Sequence, residues 1–494
     1  MAKEQSSLLE NWISLFGGII AGCALVAVLM LFAVDFFLGF GNPYMGILTY
    51  IVAPVFLILG ITLIVIGAFR ERSRRRQMAP GLIPKHPRID FNIPKHRQTF
   101  FMVSALTIIF LILTALGSYQ TYHVTESVSF CGQTCHTVMK PEFTAYQNSP
   151  HARVACVQCH IGPGASWFVR SKLSGMYQVY ATLANKYPRP IPTPVHNLRP
   201  AQETCEQCHW PRKFFGSVEL VNVHYLPDEQ NTKWTIRMLM KVGGGDSSNG
   251  PTGGIHWHMN ISNKVEYIAA DEARENIPWI RVTSSTGKVT IFQSKDKPLK
   301  PEQIAAQTPR RMDCIDCHNR PSHIYNPPMR AVNVAMSTNR ISPALPSIKA
   351  NAVTVLIAEY KTTDDALSKI KDGLMKDYKD YPDQKLVAQA IAETQKLYSQ
   401  NFFPEMKADW RAYPNHIGHM TFLGCFRCHD GQHVDEKGTP ISKDCSSCHT
   451  IIAQGKGEEL KTLSAGGLEF EHPEDIGDSW KEMNCTECHT GETP

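Results

Sequence analysis

Fourteen of the fifteen cysteines in this 494-residue chain fall into seven pairs, and each pair runs directly into a histidine. Six pairs read C-x-x-C-H: Cys156 and Cys159 with His160, Cys205 and Cys208 with His209, Cys314 and Cys317 with His318, Cys425 and Cys428 with His429, Cys445 and Cys448 with His449, and Cys485 and Cys488 with His489. The first, Cys131 and Cys135 with His136, has one extra residue between its thiols. Two thiols one turn apart, followed by an imidazole, is the pattern that attaches haem c. The thiols form thioethers to the porphyrin vinyls and the histidine becomes an axial ligand. Zinc would need two such pairs to converge on one ion. The sequence therefore predicts seven covalently bound haem c groups and a multihaem cytochrome c fold, mainly α with much irregular structure. The porphyrin faces would supply a large part of its core.

So many cysteines would otherwise suggest disulfides and an oxidising compartment. Haem attachment leaves only Cys23, which lies in an apolar run and reads as a small membrane-buried hydrophobe. Three uncharged apolar stretches, Ile13–Val34, Met45–Phe69 and Thr99–Tyr119, are each long enough to cross a bilayer as a helix. Between the second and third lie Arg70, Arg72, Arg74, Arg75, Arg76, Lys85, Arg88, Lys95 and Arg97, whereas no Lys or Arg separates the first from the second. The positive-inside rule makes the basic loop and the N-terminus cytoplasmic. The third helix then delivers the haem region and C-terminus to the periplasmic face of the bacterial inner membrane, where haem c is attached. Ile20-Ala21-Gly22-Cys23 resembles a lipoprotein cleavage site, but the apolar run continues eleven residues past Cys23 and only Lys3 precedes it, which argues against a signal peptide.

The charge balance excludes a nucleic-acid partner. Residues 1–98 hold ten Lys or Arg and five Asp or Glu, which accounts for the whole net charge of +5; the rest of the chain balances to zero. Basicity here is a membrane-orientation signal.

Spacing divides the chain into a membrane domain (1–119), a segment with the first three haems (120–210), a β-rich insert (211–310), a fourth-haem segment (311–350), a helical scaffold (351–410) and a C-terminal triple-haem segment (411–494). Within the insert, Ser217–Val223, Lys233–Lys241, His256–Ser262, Val265–Ala270, Trp279–Thr283 and Lys288–Phe292 alternate or are β-rich, predicting one small antiparallel sheet. Thr363-Asp364-Asp365 and Asp383 mark helix starts in the scaffold, which holds neither Cys nor His.

Beyond the seven motif histidines there are thirteen others, and His86 and His96 fall in the cytoplasmic loop. The remaining eleven suffice to give every iron a second imidazole, an arrangement that favours electron transfer over substrate binding. The candidates are His151, His196, His323, His416, His419, His433 and His472, each to be weighed against an ordinary surface or core role. His224, His256 and His258 are secondary candidates, the last two sharing one face of an expected strand. His123, just outside the third helix, reads equally as ligand, proton carrier or interfacial residue. Met139, three residues beyond His136, reads as an alternative axial ligand or as packing beside the porphyrin.

The segment Cys131-Gly-Gln-Thr-Cys-His-Thr-Val-Met-Lys-Pro-Glu-Phe-Thr-Ala-Tyr-Gln-Asn-Ser-Pro-His151, followed by Cys156-Val-Gln-Cys-His160, resembles the NapC/NirT family of membrane-anchored quinol-oxidising cytochromes. With three helices and seven haem motifs, the whole chain is similar to the heptahaem inner-membrane cytochromes of metal-reducing bacteria. The resemblance implies that the first haem lies beside the quinol and that Lys172 matches a lysine near the quinol in the family. The sequence departs from the family in two places. Its first motif and the following Met are each spaced one residue wider, and Gln178 and Val179 stand where a carboxylate is expected. Glu142 is then the nearest carboxylate by sequence and the candidate base. Val169, Leu173, Met176, Tyr177, Tyr180 and Ala184 recur at helical spacing, giving a face suited to core packing or, beside a membrane anchor, to the bilayer interface.

The expected function is oxidation of menaquinol or another quinol from the membrane pool, with electrons passed through the haems to periplasmic or outer-membrane cytochromes. A passive relay fed by a separate quinol-oxidising subunit is the alternative. A terminal reductase is disfavoured, because spare histidines are plentiful and no C-x-x-C-K variant occurs.

Overall fold

The computed structural model describes residues 8, 9, 11–38, 53–77, 91–162, 164–195, 198–210, 213–244, 253–260, 262–462 and 466–492. They form two compact units, 1–127 with 156–179 and 128–155 with 180–494.

The first unit contains three long helices, α1 (Trp12–Leu38), α2 (Ala53–Arg76) and α3 (Pro94–Thr125), each apolar and long enough to cross a membrane. The expected start of the second span, Met45–Val52, lies outside the described residues. Between lipid chains there is little hydrophobic drive for helix pairing, so α1 and α2 associate through small residues. Gly17 and Gly60 bring the backbones together: a Cβ on Gly17 would lie 2.6 Å from the Gly60 carbonyl oxygen. Ser14 Oγ donates to the Ile64 carbonyl oxygen across the same seam at 3.1 Å. Pro at the first helical position opens α3. Its 32 residues make a rod of about 48 Å, longer than the roughly 30 Å hydrocarbon core, so its polar ends project beyond it. The same unit holds the Cys156–His160 turn and most of the helix Ala165–Leu183.

In the second unit, α4 (His136–Gln147) follows the first motif. The extra residue of that motif is absorbed in a π-helical turn, Phe130–Thr134, the usual way a helix accommodates an insertion. A helical scaffold, α5 (Pro328–Ser337), α6 (Ile348–Ile357), α7 (Thr363–Asp377) and α8 (Gln384–Asn401), encloses the main hydrophobic core. Val332, Ala335, Met336, Ile341, Leu345 and Ile348 are completely buried there. The expected helix starts are capped: Thr362 Oγ1 accepts from the Asp365 amide, and Asp383 accepts from the Lys385 and Leu386 amides.

The β structure exceeds the single small insert read from sequence. Strands β1 (Val218–Tyr225), β2 (Lys233–Met240), β3 (Lys264–Ile268), β4 (Trp279–Thr283), β5 (Val289–Ser294), β6 (Arg310–Arg311), β7 (His433–Val434), β8 (His449–Lys456) and β9 (Glu459–Thr462) form two antiparallel sheets, ordered β1-β2-β8-β9 and β6-β3-β4-β5-β7. Both sheets are completed by strands from the C-terminal third of the chain, a pairing that local patterning does not encode. His256–Ser262, expected as a strand, is instead a 3₁₀ turn over Ile255–Met259.

Candidate functional site

The cysteine pairs sit on single tight turns. The amides of His209, His318, His429 and His489 donate to the carbonyls of Cys205, Cys314, Cys425 and Cys485 at 2.8, 2.8, 3.0 and 2.7 Å. That one bond sets both thiols and the imidazole of each motif on a single helical turn. Asp313 and Asn484 cap two of these turns with reciprocal capping boxes.

Five motif histidines face a second imidazole. Ring centroids are 6.0 Å apart for His151 and His209, 6.5 Å for His256 and His318, 5.8 Å for His258 and His429, 6.2 Å for His419 and His449, and 6.1 Å for His472 and His489. Two metal–nitrogen bonds of about 2.0–2.1 Å, plus half of each ring, put the centroids of a trans pair about 6 Å apart. The spacing therefore fits an iron between each pair.

The second ring nitrogen supports the same fit. A metal-bound histidine normally donates its other N–H to a carbonyl or carboxylate, which fixes the tautomer. His151 Nδ1 lies 3.2 Å from the Pro321 carbonyl oxygen, His256 Nδ1 2.7 Å from that of Val242, and His258 Nδ1 3.0 Å from that of Ile255. On the motif side, His429 Nδ1 lies 2.8 Å from the Ser442 carbonyl oxygen. His419 and His449 face each other with both Nδ1 atoms buried and unpartnered, a polar site that the protein alone does not satisfy. Burial, reinforced by a neighbouring histidine, holds His318, His419 and His489 below the ordinary imidazole range; burial and then Lys241 do the same to His449. The neutral ring is the form that binds metal.

Other expected ligands lie elsewhere. His416 is buried, with Nδ1 3.1 Å from the Asp316 carbonyl oxygen and Nε2 2.6 Å from a Glu275 carboxylate oxygen. His433 is likewise buried between Asp430 Oδ1 (2.9 Å) and the Ile277 carbonyl oxygen (2.7 Å). Burial opposes charge on His433, but those two hydrogen bonds outweigh it and hold the imidazole above its usual range. Both nitrogens of each ring are thus taken by protein. His323 Nδ1 lies 3.0 Å from the Glu142 carbonyl oxygen. His196 and the His136 side chain lie outside the described residues. Met139 is half-buried one turn along α4 from His136. His224 is half-buried, and desolvation, Lys349 and His489 push it down to about 4.

A second site lies in the first unit. An open cleft of about 570 Å³ is lined by Thr114, Gly117, Thr121, Tyr122 and Thr125 of α3 and by Phe168. Beside it, Lys172 forms an ion pair with Glu126, the residue that caps α3. Lys172 Nζ also lies 4.8 Å from the Phe168 ring centroid. Glu126 is buried, and its Oε2 has no hydrogen-bond partner. Glu142, the carboxylate expected from sequence to serve this chemistry, is instead engaged by Arg320 and His323. Sequence reading missed Glu126 because 46 residues separate it from Lys172. The one signal was a lone carboxylate a short way past the third apolar span. The exposed face of the helix Ala165–Leu183 carries Leu173, Met176, Tyr177, Tyr180 and Leu183, each more than half exposed, as a helix lying in a membrane interface would.

Residues 93–191 match the model of the NapC/NirT cytochrome c family, N-terminal region. The chain is 45% identical over 493 residues to the cytochrome c-type protein ImcH of Geobacter sulfurreducens, covering 99% of this chain and 96% of that protein. No solved structure matches. With its attachment motifs, its three membrane-length helices and this end-to-end likeness, the chain belongs to the NapC/NirT cytochrome c family of membrane electron-transfer proteins.

Proposed function

We propose that this chain is an inner-membrane heptahaem cytochrome c that oxidises quinol at the periplasmic face and passes electrons to periplasmic or outer-membrane cytochromes. Its orientation follows the arginine-rich end of α2, with the N-terminus cytoplasmic and the C-terminus periplasmic. The fourteen paired cysteines carry the haems, with His136, His160, His209, His318, His429, His449 and His489 as motif-side ligands. His136 or Met139 serves the first. His151, His419 and His472 are the distal partners of His209, His449 and His489, and His196 and His323 remain candidates for the earlier motifs. His416 and His433 are positioning residues that tie haem-bearing loops together. When bound, each haem supplies a one-electron iron couple, and ligation on both faces favours electron transfer.

The observation that carries the quinol reading is the Lys172–Glu126 pair beside the α3 cleft. A quinol headgroup is a flat ring with two hydroxyls. Phe168 and Tyr122 offer ring contact, while Thr121 and Thr125 offer hydroxyl partners. Lys172 binds one quinol oxygen. Glu126 Oε2, buried and unpartnered, accepts the two quinol protons in turn, passing the first to periplasmic water before taking the second, as the ring gives up its two electrons one at a time.

The test is stopped-flow reduction of the detergent-solubilised protein by a menaquinol analogue, followed at the Soret band. Fast reduction that a quinone-site inhibitor blocks, and that Lys172→Ala slows without loss of haem, is expected. No reduction by quinol, in protein that dithionite reduces fully, would instead make the chain a relay fed by another subunit.

A further inference from the structure

The 3₁₀ turn Ile255–Met259 places two histidines two residues apart. On a strand they would point the same way, but at about three residues per turn their side chains diverge by roughly 120°. His256 faces His318, and His258 faces His429.

We propose that His256 and His258 are the distal axial ligands of the haems attached at Cys314/Cys317 and Cys425/Cys428, so that one turn ligates two irons. The proposal rests on the haem-attachment reading of those two motifs. Each Nδ1 is held by a backbone carbonyl, leaving Nε2 for metal. The turn itself is pinned. Gly244, at φ +108°, passes so close that a Cβ there would lie 2.5 Å from the Trp257 amide nitrogen, and Asn260 Nδ2 donates to the Gly244 carbonyl oxygen at 2.9 Å.

The motif sides of the two sites are joined as well. Arg427, inside the second motif, donates through Nη2 to the carbonyl oxygen of Asp316, inside the first, at 2.7 Å. The Asp316 carboxylate is fixed in turn by Tyr267, Arg274 and Arg310 at 2.8, 2.7 and 2.9 Å. Motif-side and distal-side ligands are therefore clamped together at both ends, and the two haems form one coupled unit.

The two sites differ in ring orientation. The planes of His256 and His318 are nearly parallel at 7°, whereas those of His258 and His429 are nearly perpendicular at 88°. Low-spin ferric haem with parallel imidazoles gives a rhombic electron paramagnetic resonance spectrum. Perpendicular imidazoles give a strongly anisotropic one, dominated by a single large g value.

The experiment compares spectra of the oxidised full-length protein with those of His256→Ala and His258→Ala. Each variant is expected to keep its haem and to gain a high-spin ferric signal that added imidazole abolishes. His256→Ala should lose a rhombic low-spin component and His258→Ala an anisotropic one. A fully low-spin spectrum in either variant, with haem intact, overturns the proposal. Should the alanine variants fail to accumulate, His256→Met and His258→Met test the same point. Methionine ligation raises the potential of the affected haem in a redox titration, and unchanged potentials overturn the assignment. Peptide mass spectrometry separates the two readings. Unmodified Cys314, Cys317, Cys425 and Cys428 would refute haem attachment itself, and the ligand assignment with it.

Discussion

Arg320 Nη2 straddles the carboxylate of Glu142, 3.1 Å from one oxygen and 3.2 Å from the other. The same carboxylate lies 3.1 Å from His323 Nδ1. Arg320 in turn stacks on Tyr413, with its guanidinium carbon 4.3 Å from the ring centroid. A carboxylate committed to two such partners is a structural anchor. Glu142→Gln should therefore lower stability by about 2 kcal/mol, the scale of a hydrogen bond to a charged group, yet leave the rate of quinol-driven reduction nearly unchanged. Thermal unfolding and stopped-flow reduction measure the two effects separately.

Glu126 should behave in the opposite way. Glu126→Gln keeps the size of the side chain but removes the base, so quinol-driven reduction should fall about 10²-fold, the usual scale of general-base catalysis. Dithionite reduction should be unaffected. Wild-type rates in the variant would remove Glu126 from the chemistry.

Lys349 is a cost that the scaffold tolerates. It is completely buried, its Nζ donates to the Met329 carbonyl oxygen at 2.7 Å, and burial pushes its amine down to about 7. Above that pH and below the ordinary lysine value of about 10.4, the unfolded chain holds a proton that the folded one lacks. Stability from this group therefore rises with pH across that window, and its penalty is fully present below about pH 7. Lys349→Met removes the penalty, on the order of 4 kcal/mol, less about 1 kcal/mol for the lost hydrogen bond. The thermal midpoint of the variant should exceed that of wild type by more at about pH 6 than at about pH 9. A difference independent of pH would show that Lys349 keeps its proton when buried.

The α1–α2 seam yields a prediction for the membrane domain. A Cβ on Gly60 would meet the Ala21 amide nitrogen at 2.5 Å, so Gly60→Leu must force the helices apart. A loss of about 1–3 kcal/mol is expected from overpacking. Ile58→Leu, on the exposed side of the same helix, should be silent. Thermal stability in detergent compares the two.

Much of this molecule is legible in the sequence because its signals are local. Cysteine spacing marks the tight turns that carry the thiol pairs, apolar length marks α1 to α3, and alternation marks β1 to β5 within a residue or two. Asp383 and Thr363-Asp364-Asp365 mark where scaffold helices begin, although the capping hydroxyl belongs to Thr362. What escaped is non-local. His416 and His433 look like ligands because they flank a motif, yet their ring nitrogens are claimed by Asp316, Glu275, Asp430 and Ile277 from distant segments or a neighbouring turn. His256 and His258 looked like one face of a strand, because H-W-H-M alternates as a strand would. Gly244 and Gly254, both at positive φ, decide otherwise by letting the turn close against the segment that follows β2. Glu126 was hidden for the same reason: its partner is a helix away in sequence.

The pairing of β2 with β8 and of β5 with β7 has a consequence for how such a chain can change in length. A protein whose haems were beads on a string could lose its last bead and keep the rest. Here, cutting the chain before His433 would strip two strands from one sheet and one from the other, leaving β2 and β5 as raw edges, the kind of surface that recruits other chains. The molecule is woven rather than strung. Its haem-bearing segments must be gained, lost and inherited as one cloth.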